Sequence, residues 1–327
     1  MSTFTDATIC LDGWTDASGN SIYRFMILKE HQKHIIDIMS SSIACVTDNL
    51  SIMVLMKNLL KEQYLNIVPI RCCLHAFNLI VKDIAGFTGT VSVCKNNQKL
   101  VNFFTASHIW LRVLKNWQKE EGISHFLTTF CKTQWYSLAK VCLGVSTFER
   151  GFQHCLKLSE TNKTKYPKIK DEIKSIVNDR YHFASNDTLV KVIKPVIDAI
   201  GRLESREATL ADVFKELIYI HLEISRLDIP IIGFKTHALI IISKRAREFS
   251  EDIYFIALFL SPIYKNIAVS RHMNSDHLLR ECLKLAKAWN FSKNDANILY
   301  KKLINYKNND PLFNLLLSDI QKSPQLF

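Results

Sequence analysis

Two aspartates in this chain stand where a β-sheet would present them for chemistry. Each closes an apolar, strand-like run: Ile9-Cys10-Leu11-Asp12-Gly13-Trp14-Thr15-Asp16, and its echo Ile43-Ala44-Cys45-Val46-Thr47-Asp48-Asn49. A parallel sheet carries its functional groups at the carboxyl ends of its strands. Two carboxylates brought together there can hold a divalent metal ion and support phosphoryl transfer on nucleic acid. Asp12 and Asp48 are thus the candidate catalytic and metal-binding pair.

The elements that must position them crowd the first quarter of the chain. Residues 7–14, 22–29, 34–40 and 43–47 read as strands, the first two joined by the turn Asp16-Ala17-Ser18-Gly19-Asn20. A helix is predicted over 51–64, with Ile52, Leu55, Met56, Leu59 and Leu60 at helical spacing. A short strand at 68–72 and a helix at 74–84 follow. Beyond residue 95 the periodicity is almost wholly helical, with helices predicted over 98–120, 137–157, 169–179, 187–203, 209–227, 234–248, 276–289 and 293–306. The lysine-rich stretch 160–174 contains Pro167 and reads as an exposed loop leading into a helix. The fold class expected is α/β: a partial mixed sheet at the N-terminus, then a predominantly α-helical region.

Composition narrows the partners. The chain has 327 residues, 48% of them hydrophobic, with 9 glycines and 7 prolines, as in a folded protein rather than a disordered one. Its formal net charge of +11 favours polyanions. No run approaches the ~18 apolar residues of a membrane span, and residues 1–6 lack the basic and apolar regions of a secretory signal. The nine cysteines are odd in number and scattered, as expected of reduced thiols. An intracellular protein, nuclear or cytoplasmic and not secreted, is the expectation.

Several short motifs occur in a fixed order: Asp12-Gly13-Trp14-Thr15, Val46-Thr47-Asp48-Asn49, Cys72-Cys73-Leu74-His75 with Asn78-Leu79, then Lys132-Thr133-Gln134-Trp135-Tyr136-Ser137, and a weaker Ala257-Leu258-Phe259-Leu260-Ser261-Pro262-Ile263-Tyr264-Lys265. The ordered set resembles the hAT superfamily of DNA transposases and its domesticated relatives, well over residues 7–140 and loosely over 140–300. The resemblance implies a ribonuclease-H-like core interrupted by a large helical insertion, here an incomplete core over 1–92 and an insertion-type helical region over 93–327. It implies that Asp12 and Asp48 are the first two acids of a catalytic triad, binding Mg2+ or Mn2+ where the acidic site is intact. It also implies that Cys72, His75, Lys132 and Trp135 handle nucleic acid, Trp135 by stacking on an extruded base. Read on its own, Cys72-x-x-His75 supplies two of the four ligands of a zinc site, and no second pair stands at matching spacing.

The chain departs from that family's pattern. Its third acid is a glutamate in a Ser-Glu-Arg-like motif near a C-terminal dimerisation segment. No such motif precedes Phe327, and the surroundings of Glu281 do not match one. No zinc-finger module precedes the first strand. Gln134 replaces the arginine expected before Trp135, removing a phosphate-binding guanidinium, and Ser261 stands where an aspartate is usual. The connection before Asp48 is also short. With a third strand running to residue 40, two residues span only about 10 Å. The move to a parallel strand beside the first is ~14 Å sideways and ~17 Å along it. A crossover helix of roughly 25–30 residues looks deleted. Either 43–47 pairs with 34–40 as a hairpin and separates the two aspartates, or the third strand is given up to the crossover and they stay together. The apolar run 43–46 suits a buried central strand and favours the second.

The expectation is therefore a hAT-transposase-like protein without catalysis or a resident cofactor, binding DNA weakly and without sequence preference through lysines in 157–174 and 244–247. A metal-dependent nuclease and a protein-interaction scaffold are the alternatives.

Overall fold

The computed structural model describes residues 7–15, 21–29, 32–34, 42–48, 51–130, 135–268 and 274–310; for residues 7–43, 51, 52, 135 and 267 it describes the backbone alone. In chain order the elements are β1 (Ala7–Thr15), β2 (Ser21–Lys29), β3 (Gln32–His34), β4 (Ser42–Thr47), α1 (Ser51–Gln63), β5 (Val68–Arg71), α2 (Cys73–Ala85), α3 (Thr88–Ala106), α4 (His108–Glu120), α5 (Trp135–Thr161), α6 (Asp171–Asn178), α7 (Arg180–Leu203), α8 (Leu210–Arg226), α9 (Phe234–Ala246), α10 (Asp252–Leu260), α11 (Lys265–Ala268), α12 (Ser275–Ala288) and α13 (Lys293–Lys307), with a short 3-10 turn at Arg247–Phe249. Most described residues are helical, and no helix is long and apolar enough to cross a membrane.

The strands form one mixed sheet of order β3-β2-β1-β4-β5. β2 is antiparallel to both its neighbours, whereas β1, β4 and β5 run parallel. β4 occupies an inner position, and Ala44, Cys45 and Thr47 are buried there, as its continuous apolar run requires. Of the expected third strand, His34 falls in β3, and residues 35–40 lie outside the described residues.

Ile27 pairs with His34 on one side and with Ile9 on the other, and Ile9 pairs with Cys45. His34 is therefore level with Cys45, three strand spacings or ~14 Å away. Ser42 lies less than about 10 Å further back along β4. The eight Cα steps from His34 to Ser42 reach up to ~28 Å, so no helix is needed in the crossover. The hairpin alternative does not form, since β4 has β1 and β5 as neighbours.

Cα proximity divides the chain into two units. The first comprises Met1–Ala76, Glu207–Lys215 and Glu248–Phe327; the second comprises Phe77–Arg206 and Glu216–Arg247. The first unit is thus discontinuous along the chain. Beside the sheet it carries a helical core in which Ile256 and Phe259 of α10 pack with Leu278, Leu279 and Cys282 of α12 and with Leu303 and Tyr306 of α13.

The second unit is wholly helical among its described residues. Its core joins α3 to α7: Phe104 stacks on Phe152 at 4.8 Å between ring centres, with Trp110, Leu114 and Phe148 around them. One predicted helix, 98–120, is two helices. Ser107 breaks it, its hydroxyl accepting from Trp110 N at 3.4 Å to cap α4. α7 starts seven residues before its expected position because the Asp179 carboxylate accepts from the Tyr181 and His182 amides. α10 was not predicted. Its sequence, DIYFIALFL, is apolar all round and gives no 3.6-residue period.

Removing the buried ring of Phe152 leaves a cavity at the centre of the second unit. Phe152→Ala is expected to cost about 3–5 kcal/mol of stability, read from the urea unfolding midpoint. His182 supplies a pH signature. It is 3% exposed, and its Nε2 has no hydrogen-bond partner among the described residues. Burial pushes its pKa below the ordinary value, against a smaller opposing pull from Asp179. The proton then prefers the unfolded chain, so stability is retained above about pH 6.5 and falls as the pH drops below it. His182→Gln is expected to flatten that fall in denaturant midpoints taken at several pH values.

Candidate functional site

Because β1, β4 and β5 run parallel, their carboxyl ends lie on one edge of the sheet. Asp48 follows β4 directly and is 9% exposed. The last printed β1–β4 pair is Cys10↔Val46. Continuing that register by two residues brings Asp12 level with Asp48, at an interstrand spacing of ~4.8 Å between backbones. The two candidate acids are thus on neighbouring strands. The Asp12 side chain lies outside the described residues.

The edge is built up further by local bonding. Thr47 Oγ1 donates to the Asp48 carbonyl at 2.9 Å. The Cys72 amide donates to the Thr47 carbonyl at 2.7 Å, extending the β4–β5 ladder past Arg71 and setting Cys72 beside the same edge. Cys73 opens α2, and burial, helped by the neighbouring Cys72, pushes its thiol up to about 11, so it is held as the neutral thiol. His75 follows in the first turn of α2. Among the described residues Cys72 and His75 join no group of three metal-ligating side chains.

Four charged residues that the sequence reading passed over meet at this edge. Arg71 Nη1 donates to Glu248 Oε2 at 2.7 Å, with both side chains mostly buried. The Arg71 amide donates to the Tyr254 hydroxyl at 3.0 Å, and burial raises the pKa of that hydroxyl. Lys57 on α1 is pushed below its ordinary pKa by burial and then by Arg71, while Glu251, Cys45 and Asp48 pull it back up. Asp48 therefore shares its surroundings with two cations as well as with Glu248 and Glu251. Nothing in the local sequence signals this, because Glu248 stands 177 residues from Arg71.

In the second unit, two of the ordered motifs are joined by one hydrogen bond. Asn78 Oδ1, one turn after His75 on α2, accepts from the Tyr136 amide at 3.0 Å. The acceptor satisfies an amide in the first turn of α5, which begins at Trp135. Only the backbone of Trp135 is described, and Lys132 lies outside the described residues. Tyr136 lines a cleft of about 340 Å³ with Phe126, Lys140, Leu143, Ile193 and Lys194. Lys140 Nζ sits 4.6 Å from the Tyr136 ring centre, and Lys194 pairs with Asp198 at 2.6 Å.

The predicted lysine surfaces are only partly free. In 157–174, Lys174 pairs with Glu160 and Lys168 pairs with Asp171 at 3.2 Å. Lys163 and Lys165 form no ion pair among the described residues, and both belong to the exposed turn before α6. Of the basic run at 244–247, Arg245 is taken inward: its Nη2 donates to Asp83 Oδ2 at 2.5 Å, with the side chain 13% exposed. Lys244 and Arg247 remain on a surface shared with Thr236 and Ser243.

No protein-family model matches the chain, and no curated protein is similar enough to it to serve as a relative.

The Asn78 bond gives a direct check on this arrangement. Asn78→Ala is expected to cost about 1 kcal/mol through loss of the α5 cap, whereas Asn78→Asp, which keeps an acceptor, is expected to retain it; chemical denaturation of the two variants distinguishes them.

Proposed function

We propose that this chain is a nucleic-acid-binding protein of hAT-transposase-like architecture, one that binds strands rather than cuts them. The observation that carries the proposal is the sheet. An order of β3-β2-β1-β4-β5, with β2 reversed and β4 seated parallel beside β1, is the arrangement expected of a ribonuclease-H-like core. The discontinuous first unit supports it, since a core interrupted by a helical insertion is left and later rejoined, as this chain leaves after Ala76 and rejoins at Glu248, with Glu207–Lys215 also part of the first unit. The Asn78–Tyr136 bond supports it as well, by tying together two of the motifs on which the resemblance rests.

Binding is favoured over cleavage by the electrostatics of the acidic edge. A Mg2+ or Mn2+ site needs an excess of carboxylate over nearby positive charge. Here Asp48 shares its surroundings with Lys57 and Arg71, and Glu248 is already neutralised by Arg71. That donor set is a poor host for a divalent ion.

The binding chemistry is that of a basic surface with aromatic faces. A net charge of +11 attracts the phosphate backbone irrespective of sequence. Lys163 and Lys165 present two cations from one turn, and Lys244 with Arg247 two more. Tyr136 and Phe126 supply flat apolar surface on which a base of any identity can stack.

The test is fluorescence anisotropy of a labelled single strand. The expected result is measurable, sequence-tolerant binding that Lys163→Glu combined with Lys165→Glu weakens and Trp135→Ala weakens by about 1–3 kcal/mol. Incubation of DNA with Mg2+ or Mn2+ separates the nuclease reading: cleavage that disappears in Asp12→Asn would establish it, and intact DNA is the outcome expected here.

A further inference from the structure

We propose that Asp252, His277 and Glu281 form a binding site for one divalent transition-metal ion, a site separate from the two strand-end aspartates and independent of the nucleic-acid reading. One ligand atom from each of the three lies within 4.8 Å of the others. Asp252 comes from the first turn of α10, while His277 and Glu281 are one turn apart on α12 and so share a helix face. His277 Nε2 is 3.0 Å from Asp252 Oδ1.

The distances suit an ion at the centre. Oxygen and imidazole ligands sit ~2.0–2.2 Å from Zn2+. Two atoms on one ion are therefore at most ~4.4 Å apart, which a small swing of the long Glu281 side chain provides. The backbone that carries the ligands is held still. Ile256 lies one turn from Asp252, and Leu278, Leu279 and Cys282 flank His277 and Glu281; all four are buried in one core. Asn274 Oδ1 accepts from the His277 amide at 2.7 Å and fixes the start of α12.

The charge balance calls for a cation. Two carboxylates face one imidazole, which has a single proton to offer when neutral. Lys284 pairs with Glu281 Oε1 at 2.6 Å, but its side chain is 71% exposed, and such an i,i+3 pair contributes little. An ion coordinated by Asp252, His277 and Glu281 would offset both carboxylates, with water completing its shell. One nitrogen with two oxygens selects ions such as Zn2+, Co2+ and Mn2+ over Mg2+, which prefers oxygen alone.

The experiment is calorimetric titration of Zn2+ into the full chain freed of metal with a chelator, with Co2+ absorption as a second probe of the ligand field. The expected result is saturable binding of one ion per chain with micromolar or tighter affinity, weakened at least about tenfold by His277→Gln and by Glu281→Gln at unchanged far-ultraviolet dichroism. Should His277→Gln fail to fold, Asp252→Asn and Glu281→Gln carry the same test. Absence of saturable binding overturns the proposal. So does binding that all three variants leave intact and Cys72→Ser with Cys73→Ser removes.

Discussion

The parallel pairing of β1 with β4 is the constraint on which the rest of the first unit depends. A parallel neighbour cannot be reached by a hairpin; the chain must leave the far edge, pass β2 and β1 and re-enter in the same direction. Eight Cα steps connect His34 to Ser42, ample for that distance. Had β3 run on to residue 40, as its sequence suggests, the remaining chain could not have crossed. β4 contributes Ala44, Cys45 and Thr47 to the interior, as an inner strand between two parallel neighbours does.

Much of this was legible in the sequence because it is periodic. The alternation and apolar runs of residues 7–47 marked four strands, and helical spacing located α1, α5, α6, α8 and α9 to within a few residues. What failed did so for identifiable reasons. α10 is apolar all round and has no stripe to read. Ser107 divides α3 from α4 through one side-chain cap that the periodicity runs straight across.

The candidate site was legible in part. Asp12 and Asp48 stand on neighbouring strands because both are read from strand ends, a local feature. The residues that set the electrostatics around Asp48 are non-local: Arg71 comes from the end of β5, Lys57 from α1 and Glu248 from the returning chain. No motif spacing links them, yet they determine whether two carboxylates act as a metal site or as members of a neutralised network. Arg245 teaches the same lesson in reverse. In the sequence it belongs to a basic run, whereas in the fold its charge is consumed by Asp83. Counting lysines and arginines therefore overstates what such a surface presents to a phosphate backbone, whereas Lys163 and Lys165 stand on an exposed turn and form no ion pair among the described residues.

The most direct measurement is a crosslink across the β1–β4 seam. In the full chain carrying Asp12→Cys and Asp48→Cys, mild oxidation and peptide mapping by mass spectrometry would report whether the two positions meet. Disulfides form when the Cα atoms lie about 4.4–6.8 Å apart, and the register places these two at the interstrand spacing. A rapid, near-stoichiometric bridge between positions 12 and 48 is the result this account predicts. Failure of that bridge, or the capture of position 48 by a cysteine placed in β3 such as Lys33→Cys, would contradict the parallel seam and with it the ribonuclease-H-like reading of the sheet.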